Sequence, residues 1–264
     1  MGRVLPFSQA SDFVRTITAK GRSARAILDT NILIASTYEI SKDHEIVSPL
    51  LVSLAKLGVE FYATVNTRSE FMEFHRRLVL TEVLLDLIDE HSKTKIPNAA
   101  RSEIKTAYAS VKSKQARDGI DPIFNDTQLK KIKSEFSAGC HSDHLGWLKL
   151  CELYLKDYIT GIDENLSERG VQYLSPNDPK RAHLFTQTLD WPIAAAIVEK
   201  TGLSISDSMI MNALNSSVCD FSISLDFDFG FATLADKESK DVLMPDSDAR
   251  LIRKFKNLAS AIQV

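Results

Sequence analysis

Apolar residues along this chain fall into short runs and longer periodic ones, and the two patterns alternate. Ala24 to Leu28 is a short run, apolar but for Arg25, followed at once by Asp29-Thr30-Asn31. A short apolar run bounded by polar residues predicts a strand buried in a parallel sheet, with a helix after it. Residues 46 to 57 carry apolar side chains at helical spacing, and Gly58 terminates them. Val59 to Thr64, rich in β-branched and aromatic residues, predicts a second strand, and Asn66-Thr67 the stop and cap of the next helix, which carries Glu70 early.

The alternation resumes late in the chain. Asp190-Trp191-Pro192 opens a helix closed by Thr201-Gly202, and Ser204 caps another that runs to about Asn215. Phe221 to Leu225 shows strand alternation and ends at Asp226-Phe227-Asp228-Phe229-Gly230, and Asp241 to Pro245 is a last short strand. Strands alternating with helices predict an α/β fold with a parallel sheet in three layers. Residues 79–182 show almost no strand signal and several helical periods, so we expect a helical subdomain inserted into a discontinuous domain formed by 1–78 and 183–264. The terminal helix sets Leu251, Ile252, Phe255, Leu258 and Ile262 on one face, which is expected to pack on the domain.

Composition narrows the class. With 44% hydrophobic and 25% charged residues, the chain reads as an ordinary globular protein. It lacks a signal-peptide h-region and any run approaching a membrane span, so a cytoplasmic protein with no membrane partner is expected. Cys140, Cys151 and Cys219 are too few and odd in number for a disulfide framework. The net charge of −3 gives no global attraction to nucleic acid. Locally the picture changes: residues 93–133 hold ten Lys or Arg against four acids, a net of +6. Such a segment is either a solvated helical surface or a phosphate-contacting arm near the active edge, with Lys130, Lys131 and Lys133 as its RNA-binding candidates.

The acids carry the chemistry. In a parallel sheet, residues just beyond the carboxyl ends of strands line the ligand crevice. Asp29 ends the first strand, Asp226 and Asp228 follow a later one, and Glu70 and Asp207 open helices that reach the same edge. Carboxylates brought together there repel one another unless a divalent cation neutralises them, and hard oxygen donors suit Mg²⁺ or Mn²⁺. Each piece also has a plainer meaning. Thr67-Arg68-Ser69-Glu70 and Ser204-Ile205-Ser206-Asp207 both fit a capping box, and Asp29-Thr30-Asn31 fits a turn closing a strand. Cys140, His141, His144 and Cys151 raise a zinc site, although one helix rarely supplies four ligands.

Taken in order, Asp-Thr-Asn at 29–31, Glu70, the helix Ser-Ile-Ser-Asp-Ser-Met-Ile-Met-Asn-Ala-Leu at 204–214, and Ser224-Leu225-Asp226-Phe227-Asp228-Phe229 resemble the PIN-domain nucleases. The resemblance covers about half of the chain, residues 24–77 and 190–246, and the large helical insertion departs from it. It implies a PIN-like (Rossmann-like) fold and Mg²⁺- or Mn²⁺-dependent hydrolysis of RNA phosphodiester bonds. The metal would be held by Asp29, Glu70, Asp207 and Asp226, with Asp228 as a further ligand and Glu73 as the rival of Glu70. Thr30 and Asn31 would orient Asp29 or its loop, and Ser224 would bond a carboxylate or the substrate phosphate. A toxin held by a protein inhibitor, an RNA-processing enzyme and a homodimer are all compatible with this reading. Two alternatives stand beside it: a haloacid-dehalogenase-type phosphatase with Asp226 as nucleophile, and a non-catalytic RNA-binding scaffold.

Overall fold

The computed structural model describes residues 2–89, 92, 94–119, 121–140 and 143–261. Contacts divide the chain into two compact units, one formed by residues 1–71 and 166–264 and the other by 72–165.

The first unit is built on six parallel strands. In chain order they are β1 Val4–Pro6, β2 Arg25–Leu28, β3 Glu60–Thr64, β4 Val171–Leu174, β5 Phe221–Ile223 and β6 Asp241–Met244, arranged β1-β6-β5-β2-β3-β4. From β2 the chain steps outward to β3 and β4, then returns to the other side of β2 for β5 and β6. The switch in direction therefore falls between β2 and β5, where a parallel α/β sheet opens a crevice at its carboxyl edge. Both faces of the central strands are buried, so each face is covered by a layer. One face, through Ile27, Tyr62, Val242 and Met244, packs on Ile197, Met211, Leu214, Phe229 and Ile252. These come from helices α8 Trp191–Thr201, α9 Ile205–Ser216, α10 Phe227–Ala235 and α11 Asp246–Ala261. On the opposite face Phe221 meets Phe13 of α1 (Ala10–Thr18) edge-on, with ring centroids 5.3 Å apart. Helices α2 Thr30–Thr37 and α3 His44–Lys56 complete the crossover from β2 to β3.

Two strands lie where the sequence pattern predicts none. β4 falls inside the span 79–182 expected to be helical, and pairs with β3 through Phe61 to Val171 and on to Thr64 to Leu174. β1 is three residues long and ends in a proline, too brief to give a periodic signal. A third correction concerns a helix start. Helix α4, Val65–Ile88, follows β3 without a loop. Its cap is Thr64, whose hydroxyl accepts from the Thr67 N–H at 3.2 Å, not Asn66-Thr67 one turn later. Glu70 consequently lies in the second turn rather than the first.

The second unit is helical: α5 Asn98–Asp118 and α6 Asp126–Ser134 lie between most of α4 and of α7 (Trp147–Glu168). Leu80, Leu84, Ile104, Phe124, Ile132 and Leu150 form its own core. Ile252 of the terminal helix is buried as expected, whereas Leu251 is exposed. The expectation for the Phe255 and Leu258 side chains and for Ile262 falls outside the described residues. Among the described residues no helix is long and apolar enough to cross a membrane.

Candidate active site

Asp29 is the first residue beyond β2, and its backbone N–H still continues the sheet by donating to Ile223 of β5 at 3.0 Å. Its side chain caps α2, accepting from the Thr30 N–H at 2.7 Å. The other carboxylate oxygen accepts from the Asn31 amide at 3.0 Å and the Ser224 hydroxyl at 2.5 Å. Asn31 in turn takes the Leu225 N–H at 3.0 Å on its amide oxygen. A buried acid, 3% exposed, is thus tied to the strand on its other side by two side chains 194 and 195 positions from their partners.

The network continues outward in both directions. Ser224 accepts the Asp226 N–H at 2.9 Å, and Asp226 caps α10 by accepting the Asp228 N–H at 2.8 Å. On the other side the Thr30 hydroxyl donates to Glu70 at 2.5 Å. The capping box expected at Thr67 and Glu70 is not formed, because Thr67 bonds Thr64 and leaves the Glu70 carboxylate to Thr30. Glu73, the rival on the same helix, is engaged by Arg76 at 2.8 and 2.5 Å. Asp207 reaches the edge differently. Helix α9 leads into β5 and so runs back along the sheet, which puts its first turn where the strands end. The Ser204 hydroxyl accepts the Asp207 N–H at 3.1 Å and donates to its carboxylate at 2.6 Å. The cap reading of Asp207 is therefore realised, and among the described residues the second carboxylate oxygen has no hydrogen-bond donor.

Electrostatics show that these acids share one environment. Asp29 is pushed up to about 7, first by burial and then by the charges of Asp207 and Asp226, against the pull of the Ser224 and Thr30 hydrogen bonds. Asp207 is also raised, by burial and by Asp226, Glu70 and Asp228, with Ser204 opposing. Among the described residues, none of the five carboxylates has a Lys, Arg or His ion-pair partner. Elsewhere Asp220, Asp241, Asp236 and Asp178 each pair with a cation.

The acids share an edge rather than a closed cage: among the described residues no three acid, imidazole or thiol groups stand close enough to hold an ion between them. That arrangement fits Mg²⁺, which dehydrates reluctantly and is usually held through one or two carboxylates, its own waters and substrate phosphate. The zinc reading is not supported: Cys140 is exposed, Cys151 is half-buried, and His141 lies outside the described residues. Lys130, Lys131 and Lys133 are exposed on α6 in the second unit, around the buried Leu129 and Ile132. Lys93, at the head of the basic segment, is outside the described residues. One contact at the edge escaped the sequence reading: the Thr30 to Glu70 bond has only a hydroxyl after a strand-end acid as its signal.

No protein-family model, curated protein or solved structure matches this chain.

Proposed function

We propose that the chain is a metal-dependent endoribonuclease with a PIN-like site, hydrolysing RNA phosphodiester bonds at the carboxyl edge of β2 and β5. The supporting observation is the set of carboxylates around the switch point, cross-braced by Thr30, Asn31 and Ser224 and without an ion-pair partner among the described residues. A fold that leaves like charges together without a counter-ion stores repulsion that a divalent cation relieves. One or two of Asp29, Glu70, Asp207 and Asp226 would hold Mg²⁺ or Mn²⁺ directly and the others would face it through its waters, with Asp228 at the exposed margin. The bound ion would supply Lewis acidity to the phosphate and a lowered pKa to an attacking water.

The chain's own residues set up that chemistry. Ser224 and Asn31 fix one oxygen of Asp29, so the acid cannot rotate away when charge arrives. Thr30 donates to one oxygen of the half-buried Glu70 carboxylate. Ser224 is fully buried, which assigns it to the carboxylates and not to a substrate phosphate. The haloacid-dehalogenase alternative needs Asp226 as a nucleophile, yet one of its oxygens is engaged as a helix cap and the buried, braced acid is Asp29.

The deciding experiment incubates purified protein with mixed RNA and, separately, with a small aryl phosphate, each with Mn²⁺ or EDTA. RNA cleavage in Mn²⁺ that EDTA abolishes is expected. Cleavage indifferent to EDTA, or phosphomonoester turnover with intact RNA, would overturn the proposal.

A further inference from the structure

Toward the amino-terminal ends of the same strands lies a second polar cavity, of about 350 Å³. Its floor is part of the sheet. Arg25 pairs in register with Glu60, and Tyr62 with Gln172, so strand alternation sets all four on one face. The wall is Lys180-Arg181-Ala182-His183, the segment after β4, pinned by Leu184, which is buried in the core.

The acids nearby are already committed. Glu60 accepts from Arg25 Nε at 3.0 Å and from the Tyr62 hydroxyl at 2.9 Å. Asp178 takes Arg181 Nη1 at 2.7 Å, while Arg181 Nε donates to Gln172 at 3.3 Å. These bonds fix both guanidiniums in place and consume only part of their donor capacity. Among the described residues, Arg25 Nη1 and Nη2, Arg181 Nη2, Lys180 Nζ and the His183 ring have no hydrogen-bond partner. Four nitrogen-bearing side chains with spare donors thus line one cavity in a chain whose net charge is −3.

We propose that this cavity binds a phosphate monoester of about the size of a nucleoside monophosphate. Pre-oriented arginine forks match oxyanions. A monoester dianion brings three terminal acceptor oxygens to the four groups, whereas a carboxylate brings two. The volume exceeds what a bare phosphate needs and lies at the lower end of small-ligand sites, roughly 300–1,000 Å³. The cavity shares no residue with the carboxylate edge, so the two proposals stand or fall separately.

The test is calorimetric titration of the full chain in EDTA, using adenosine 5′-monophosphate against adenosine, and a short oligoribonucleotide with and without a 5′-phosphate. Binding that requires the phosphate is expected. Confined to the mononucleotide it marks a free nucleotide as the ligand, and extended to the oligomer it marks an RNA end. Lys180 and His183 are exposed and unpaired, so the double variant Lys180→Ala, His183→Ala should keep the wild-type melting temperature and weaken binding about tenfold or more. Glu70→Gln should bind as the wild type does. Equal binding of adenosine and its monophosphate, undiminished affinity in the double variant, or no binding of either phosphorylated probe overturns the assignment.

Discussion

At Asp207 and Glu70 a single oxygen already serves the protein, by accepting from Ser204 and from Thr30. An amide in place of either carboxylate can accept the same bond and removes only the charge. Asp207→Asn and Glu70→Gln should therefore fold no less stably than the wild type in EDTA, since each relieves repulsion among neighbouring acids. Turnover on RNA should fall roughly a hundredfold or more. The rise in melting temperature that Mn²⁺ gives should shrink, because a ligand that binds only the folded state stabilises it by RT ln(1 + [L]/Kd). Melting curves with and without Mn²⁺, read beside cleavage rates, check both. An Asp207→Asn protein that melts lower without metal, keeps its Mn²⁺ shift and still cuts RNA would leave Asp207 as a cap alone. A different residue governs acid stability. His75, buried in the helical unit with Tyr158 at 3.3 Å, is pushed down to about 4 by burial. Below the ordinary value near 6.5 the unfolded chain takes a proton that the folded one refuses, so stability falls as pH drops from about 6.5 to about 4, by on the order of 2–3 kcal/mol. Denaturant unfolding followed across that range should show this slope in the wild type and lose it in His75→Gln.

At the scale of elements, packing rather than chemistry decides. Phe221 is fully buried and meets Phe13 edge-on, joining a central strand to the helix that covers it. Phe221→Ala should cost about 3–5 kcal/mol in denaturant unfolding, and Phe221→Leu clearly less. The elements legible in sequence were those whose apolar runs are bounded by marked polar or turn residues: β2, β3, β5 and β6, with helices α2, α3, α4, α8, α9 and α11, whereas α1 and α10 were not foreseen. β4 was not, because Val171-Gln172-Tyr173-Leu174 is a single short alternation directly after a long helix. The start of α4 misled for a related reason. Thr64 and Thr67 are both competent caps, and only the tertiary fact that β3 runs straight into the helix selects the first. The acids themselves were legible because each sits beside a strand end or a helix start. Their bracing was not, since Ser224 and Asp29 are 195 positions apart and nothing local ties them.

For the whole molecule, the division into two units separates the acids from the basic surface. The carboxylates belong to residues 1–71 and 166–264, and Lys130, Lys131 and Lys133 to residues 72–165. If the basic segment holds RNA, reversing those three charges to Glu should weaken RNA binding, flatten its dependence on salt and leave the melting temperature close to that of the wild type. Affinity measured at several salt concentrations checks this; an unchanged slope returns the lysines to plain solvated surface. The strand order has one more consequence, for the time during which the protein is made. β2 leaves the ribosome before its neighbour β5, which follows with Ser224 and Asp226 almost two hundred residues later. At about 5–20 residues per second that delay lasts on the order of ten seconds or more. Until then a growing chain, still attached to its own messenger, holds Asp29 and Glu70 without Asp226, so the carboxylate edge proposed to cut RNA is assembled only after that delay.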